Sequence, residues 1–225
     1  MGSLTINTFL TLDGVMQSPG APTEDASGGF THGGWLVPYA DPDMGQYITE
    51  AFTMIDALLL GRKTYEIFAA HWPRVTDPDN HIAVALNKMP KHVVSRTLHR
   101  VAWHNSSLVQ GDIVNEVAKL KGRYEREISV QGSSQLAQTL IENDLIDEYR
   151  VWFYPITLGT GKRLFGPGTV PLALTLTGTK TTSTGVVINT YRRAGRPKYG
   201  SFEAEVREDW EALRRPSDRE SHRTA

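Results

Sequence analysis

The chain contains no cysteine, which excludes disulfides, cysteine-ligated zinc and thiol catalysis together. No apolar run approaches the ~20 residues needed to cross a bilayer. The N-terminus shows neither the basic region nor the long apolar stretch of a secretory signal. Neither charge is in excess: 24 Lys and Arg face 25 Asp and Glu, a formal net charge of −1. Such a chain has no global attraction to nucleic acid or anionic membrane, and Arg192-Arg193 and Arg214-Arg215 are too short for a basic patch. The histidines, at 32, 71, 81, 92, 99, 104 and 222, form no His-x-x-x-His pair and no zinc-like cluster with carboxylates, so no metal site is expected. Also missing are the G-x-S-x-G elbow of a hydrolase and the G-x-G-x-x-G of an ordinary Rossmann domain. The expectation is a cytoplasmic protein whose partner is a small molecule, not nucleic acid or a membrane.

What is present suits one sizeable α/β domain: 225 residues, 40% of them hydrophobic. Residues 4–10 alternate as a first strand and turn at Asp13-Gly14. A long polar stretch rich in Gly and Pro follows over 17–34, a length that in compact domains marks a functional loop or a disordered one. Asp41-Pro42-Asp43 reads as a helix start, with Ile48, Phe52 and Ile55 on one face. Ala57 to Leu60 is a wholly apolar run suited to a strand buried on both faces, and a helix follows over 62–70. Further strands are predicted at 91–95, 127–131 and 149–154. Helices are predicted after Asp112 and after Gly132, and two late antiparallel strands at 172–181 and 186–193. Strands alternating with helices predict a mainly parallel sheet covered on both sides. The domain is expected over 1–195. A charged extension over 196–225 places Phe202, Val206, Trp210 and Leu213 on one helical face. That helix either docks on its own domain or packs across a homodimer.

Three strand ends attract attention. At Gly61-Arg62-Lys63-Thr64 a buried strand meets a helix through a glycine, and two cations occupy the first helical turn. The helix dipole disfavours cations there by ~0.3–1 kcal/mol each, which makes sense if an anion sits on the free N–H groups; the alternative is two solvated surface cations. At Ser95-Arg96-Thr97 a hydroxyl and a guanidinium close a strand, a pairing suited to a ribose 2′-phosphate where an NAD site would place an acid. At Gly132-Ser133-Ser134 a glycine again lets backbone approach a pyrophosphate. Open parallel sheets bind ligands at this edge.

The order Leu12-Asp13-Gly14, Gly33-Gly34-Trp35, Leu60 to Tyr65, Val94-Ser95-Arg96, Gly132-Ser133-Ser134 and Leu158-Gly159-Thr160-Gly161 resembles the dihydrofolate-reductase-like superfamily. The resemblance covers residues 3–193. It is nearest to the branch holding the C-terminal reductase domain of the bifunctional riboflavin-biosynthesis deaminase–reductase. It implies an α/β three-layer sandwich on a mostly parallel mixed sheet with a C-terminal antiparallel hairpin. It also implies NADPH as cofactor. Gly61, Arg62, Lys63 and Thr64 would contact its phosphates, and Ser95 and Arg96 the 2′-phosphate. Gly132, Ser133, Ser134 and Gln135 would form the pyrophosphate turn, and Gly159 and Gly161 would border the cofactor. Folate reductases carry two glycines where this chain has Gln131-Gly132. Leu12, Gly14 and Trp35 would face the nicotinamide and a heterocyclic substrate.

The acid that supports such chemistry has three candidates, Asp13, Asp41 and Asp43. Asp41 and Asp43 equally suit helix capping, and Asp13 a turn. The expected activity is hydride transfer to a pterin-like or pyrimidine-like heterocycle, with the ribosylamino-pyrimidine phosphate of riboflavin synthesis as one candidate and dihydrofolate a less favoured one. The 17–34 loop would close over the substrate. The rival readings are a nucleotide-binding sensor without reductase chemistry and a dimeric structural protein of the same fold.

Overall fold

A computed structural model describes residues 1–202; the helix expected in the C-terminal extension lies, from residue 203 onward, outside the described residues. The strands are β1 (Ser3–Thr11), β2 (Ile55–Gly61), β3 (Lys91–Val94), β4 (Ser106–Val109), β5 (Glu127–Gln131), β6 (Glu148–Tyr154), β7 (Leu174–Thr181) and β8 (Val187–Arg193). They form one sheet in the order β4-β3-β2-β5-β1-β6-β8-β7. Every pairing from β4 to β6 is parallel, and β8 is antiparallel to both β6 and β7. The helices are α1 (Pro42–Phe52), α2 (Arg62–His71), α3 (His81–Lys88), α4 (Ile113–Arg123) and α5 (Ser134–Glu142). The chain is thus the α/β sandwich with a late antiparallel hairpin that the sequence predicts. No helix among the described residues is long and apolar enough to cross a membrane.

The apolar run of β2 over 57–60 arises because both of its faces are covered. In β2, Leu59 packs with α4 and α5 residues such as Val117 and Leu140, whereas Leu58 and Leu60 pack with Tyr65, Leu86 and Phe52 on the other side. Side chains alternate across a strand, so a strand between two helical layers reads as one unbroken hydrophobic run. A third cluster lies toward β6 and β8, where Trp152, Tyr154 and Ile188 pack with Phe30, Trp35 and Leu36 from the long loop.

Three elements differ from expectation. Ile55 opens β2 and does not extend α1, which stops at Phe52. Helix α3 is only eight residues long and starts on Asn80, whose side chain accepts from the Ala83 N–H; its length is too short for a clear helical period. Strand β4 begins with two serines at the sheet edge and carries no alternation.

Candidate functional site

The carboxyl ends of β2, β3 and β5 and the middle of β1 open onto a cavity of about 1340 Å³. Its walls bring together all three turns read from the sequence: Gly61 to Thr64, Ser95 to Thr97, and Gly132 to Gln135. These segments are also bonded to one another. Ser133 Oγ accepts from the Gly61 N–H at 2.9 Å and lies 2.9 Å from Thr64 Oγ1. Arg62 donates to Thr97 Oγ1 at 2.8 Å.

The glycine at 61 has a different cause from the one expected. Its φ of −73° is open to any residue. A Cβ there would lie 3.2 Å from Ser133 Cβ and Oγ, so the residue is small because the α2 and α5 starts meet. The turn at 132–133 does need unusual backbone: Gly132 has φ +53° and Ser133 φ +63°. A non-glycine residue in that region stores on the order of 1–3 kcal/mol of strain, a feature that clusters at functional sites.

The helix starts are of two kinds. Asp41, Asn80 and Asp112 cap α1, α3 and α4 with side-chain oxygens. Neither α2 nor α5 has a side-chain cap, and both begin at the cavity wall. Their first N–H groups have no intrahelical partner and attract an anion. Two cations on the same wall, Lys63 and Arg96, form no ion pair among the described residues. Arg62 is engaged by Glu66 at 2.7 Å. Ser95 is buried, and its hydroxyl accepts from the Thr97 and Leu98 N–H groups at 3.2 and 2.9 Å, which shapes the loop carrying Arg96.

The three candidate acids do not line the cavity, and each has a structural task. Asp13 accepts from Thr11 Oγ1 at 2.5 Å and from the Leu158 and Gly159 N–H groups at 3.2 and 2.8 Å, and it pairs with Arg163 at 3.2 Å. Burial pushes its pKa up, but the Thr11 hydroxyl and the two backbone donors outweigh this and hold it at about 2. It is an anion at neutral pH and cannot donate a proton. Asp41 caps α1 through the Met44 N–H at 2.8 Å and accepts from Ser183 Oγ at 2.7 Å and the Thr184 N–H at 3.1 Å. Against a raising effect of burial, these bonds also hold it at about 2. Asp43 accepts from the Ser183 N–H at 3.0 Å. Both therefore fasten α1 to the β7–β8 turn.

A pH dependence follows. Depressed carboxylates contribute stability that is complete above their unfolded pKa of about 3.9 and is lost as pH falls through the folded value. The melting temperature should therefore fall between about pH 4 and pH 2, and less steeply in Asp13→Asn. An equally steep fall in that variant contradicts the role given to Asp13.

The remaining expected residues also lie off the cavity. Leu12 is largely exposed and Trp35 is buried, with Nε1 donating to the Gln17 carbonyl at 2.8 Å. Gly14 has φ +81° in the turn after β1. Gly159 presents its N–H to Asp13, and a Cβ on Gly161 would meet Val15 at 2.7 Å. These glycines build the strap beneath the loop and do not touch the cavity.

The loop itself is closely bonded. Gln17 Nε2 donates to the Asp25 and Ser27 carbonyls at 3.0 and 2.9 Å, and its Oε1 accepts from the Lys162 N–H at 3.0 Å. Lys162 Nζ pairs with Asp25 at 2.6 Å and donates to Ser27 Oγ at 2.8 Å. Residues 16–21, 23–25 and 27 line the cavity, as does Lys162. The sequence marks 17–34 as a closing loop but assigns no single residue of it to the cavity, because this Gly- and Pro-rich stretch has no period to orient it. Asn7 was also missed, although a polar side chain inside an apolar strand was a usable signal. It accepts from Trp152 Nε1 at 2.9 Å and donates to Gln131 Oε1 at 3.1 Å, and Gln131 donates to Ser129 Oγ at 2.9 Å. This buried network fixes the floor where Asn7 and Gln131 reach the cavity.

Comparison with known proteins places this geometry. The model of the RibD C-terminal domain family matches residues 3–188. An uncharacterized protein of Bacillus subtilis, YyaP, is 29% identical over 194 residues, covering 85% of this chain and 95% of its own. The crystal structure of a putative riboflavin biosynthesis protein from Shewanella is similar with a TM-score of 0.65 at 24% identity, over 85% of this chain and 98% of that one. Dihydrofolate reductase from Enterococcus faecalis, solved with NADP(H) and RAB-propyl, is similar with a TM-score of 0.54 at 14% identity, over 85% of this chain and 96% of that one. A deaminase/5-amino-6-(5-phosphoribosylamino)uracil reductase from Thermotoga maritima is similar with a TM-score of 0.55 at 13% identity, over 86% of this chain and 57% of that one.

Proposed function

The chain belongs to the RibD C-terminal domain family, and from that membership we propose that it is an NADPH-dependent reductase of a pterin-like or pyrimidine-like heterocycle. One observation carries the cofactor part. The two helices that lack side-chain caps, α2 and α5, both start at the cavity wall, and Lys63 and Arg96, which form no ion pair among the described residues, stand on the same wall. Uncapped N–H groups and free cations on one wall suit a pyrophosphate and a 2′-phosphate. The Enterococcus reductase of the same fold was solved with NADP(H), which supports the same reading.

NADPH held there supplies a hydride to an electron-poor C=N or C=O group. The chain's own residues bind and orient. Ser133 locks the α2 and α5 starts together so that their N–H groups converge, and Arg96 takes the 2′-phosphate at the end of β3. The bonded loop over 16–27 walls the reacting groups off from water. The test is NADPH oxidation by the purified chain with a panel of pteridines, aminopyrimidines and small carbonyl compounds. Substrate-dependent oxidation with at least one heterocycle is expected. Saturable NADPH binding with no turnover across the panel contradicts the reductase reading and favours a nucleotide-binding sensor.

A further inference from the structure

The cavity's charges are unevenly placed. Of the Lys and Arg residues on its wall, Arg62, Lys63 and Arg96 stand at the α2 start and the β3 end, where the cofactor reading puts phosphates. The other, Lys162, faces the loop, and Asp25 neutralises it at 2.6 Å while Ser27 takes a second N–H. His71 closes α2 with its ring edge-on to Trp72 at 4.9 Å between centroids. Phe9, Leu36, Met44, Ile48 and Phe52 give the wall an apolar part.

Glu24 also lines the cavity. Its Oε2 accepts from the Gly20 and Ala21 N–H groups at 2.6 and 3.2 Å, which fixes the carboxyl group at the cavity wall. Oε1 accepts no hydrogen bond among the described residues. Burial raises the Glu24 pKa despite the two backbone donors, with Asp25 adding to the rise. A phosphate brought beside Glu24 and Asp25 would meet two acidic side chains, and the lysine there, Lys162, is already paired. Like charges in contact are costly, and a dianion there would lack the charge-assisted bonds that normally hold it.

We propose that the heterocycle taken by this cavity carries no phosphate and presents an N–H or amino group that Glu24 Oε1 accepts. The inference rests on the reductase reading and narrows it to neutral or cationic apolar rings, in contrast to the phosphoribosylamino substrate named for the Thermotoga enzyme. Calorimetric titration of the NADPH-loaded chain tests it with three probes: pyrimethamine, a lipophilic 2,4-diaminopyrimidine; 5-amino-6-ribosylaminouracil; and the 5′-phosphate of the latter. Pyrimethamine should bind, and Glu24→Gln should weaken it about tenfold or more. The nucleoside should bind at least as tightly as its phosphate. Glu24→Ala serves if the glutamine variant does not fold, with folding judged by NADPH binding. A phosphate that binds about tenfold tighter than its nucleoside overturns the inference, as does a folded Glu24 variant that binds pyrimethamine like the parent. NADPH binding with none of the three probes taken also overturns it and leaves the cofactor reading standing. Failure to bind NADPH itself overturns the underlying reading.

Discussion

Replacing Arg96 with alanine lowers NADPH affinity by about tenfold to about a hundredfold while NADH affinity changes by less than about twofold. The size follows from what the side chain lacks. Arg96 stands on the cavity wall at the end of β3 with no ion-pair partner among the described residues. A hydrogen bond to a charged group contributes about 1.5–3 kcal/mol, and a guanidinium meets a phosphate through two parallel N–H donors. NADH lacks the 2′-phosphate, so the same truncation removes little from it. Arg62→Ala should cost less, about threefold, because Arg62 is already shared between Glu66 and Thr97 and is half exposed. Parallel titrations with NADPH and NADH at two ionic strengths check both. Equal losses for the two cofactors in Arg96→Ala would remove the 2′-phosphate assignment. A larger effect at Arg62 would move it to the α2 start.

The largest loss of stability is expected from Gly161→Ala. Gly161 has φ +119°, where an L side chain is strained, and its Cβ would lie 2.7 Å from Val15 Cγ1 and 2.8 Å from Phe30 Cε2. Val15 is fully buried and Phe30 nearly so, so neither can yield without opening the cluster beneath the loop. Backbone strain and overpacking together cost about 3 kcal/mol or more. In a chain of this size that lowers the melting temperature by about 6–12 °C. Gly159→Ala, which has φ +75° but open space around its Cβ, should cost only about 1–2 kcal/mol. Thermal unfolding of the pair separates packing from backbone strain. Equal shifts would mean that the contact with Val15 and Phe30 does not control the site.

What the sequence revealed and what it hid divide along a physical line. The apolar run before Gly61 was legible because β2 is buried on both faces, and a strand so placed needs no polar alternation. The three turns at the sheet's carboxyl edge were legible because each is a local strand–glycine–helix or strand–hydroxyl–cation signal. The carboxylates were not. Capping and acid catalysis use the same residue type, and the difference for Asp41 lies in Ser183 and Thr184, 142 and 143 positions away. The reason for Gly61 is likewise non-local, since the atom it must admit belongs to Ser133. Glu24 and Asp25 sit in a loop with no hydrophobic period, and only the fold brings both to the cavity wall and pairs one of them with Lys162.

The central claim is that the uncapped starts of α2 and α5, with Lys63 and Arg96, hold NADPH. Calorimetric titration of the chain with NADPH, followed by displacement with adenosine 2′,5′-bisphosphate, tests it most directly. The account predicts one saturable site, NADPH bound at least about tenfold more tightly than NADH, and competitive displacement by the bisphosphate. Equal affinity for NADPH and NADH, or no saturable binding of either, would contradict it.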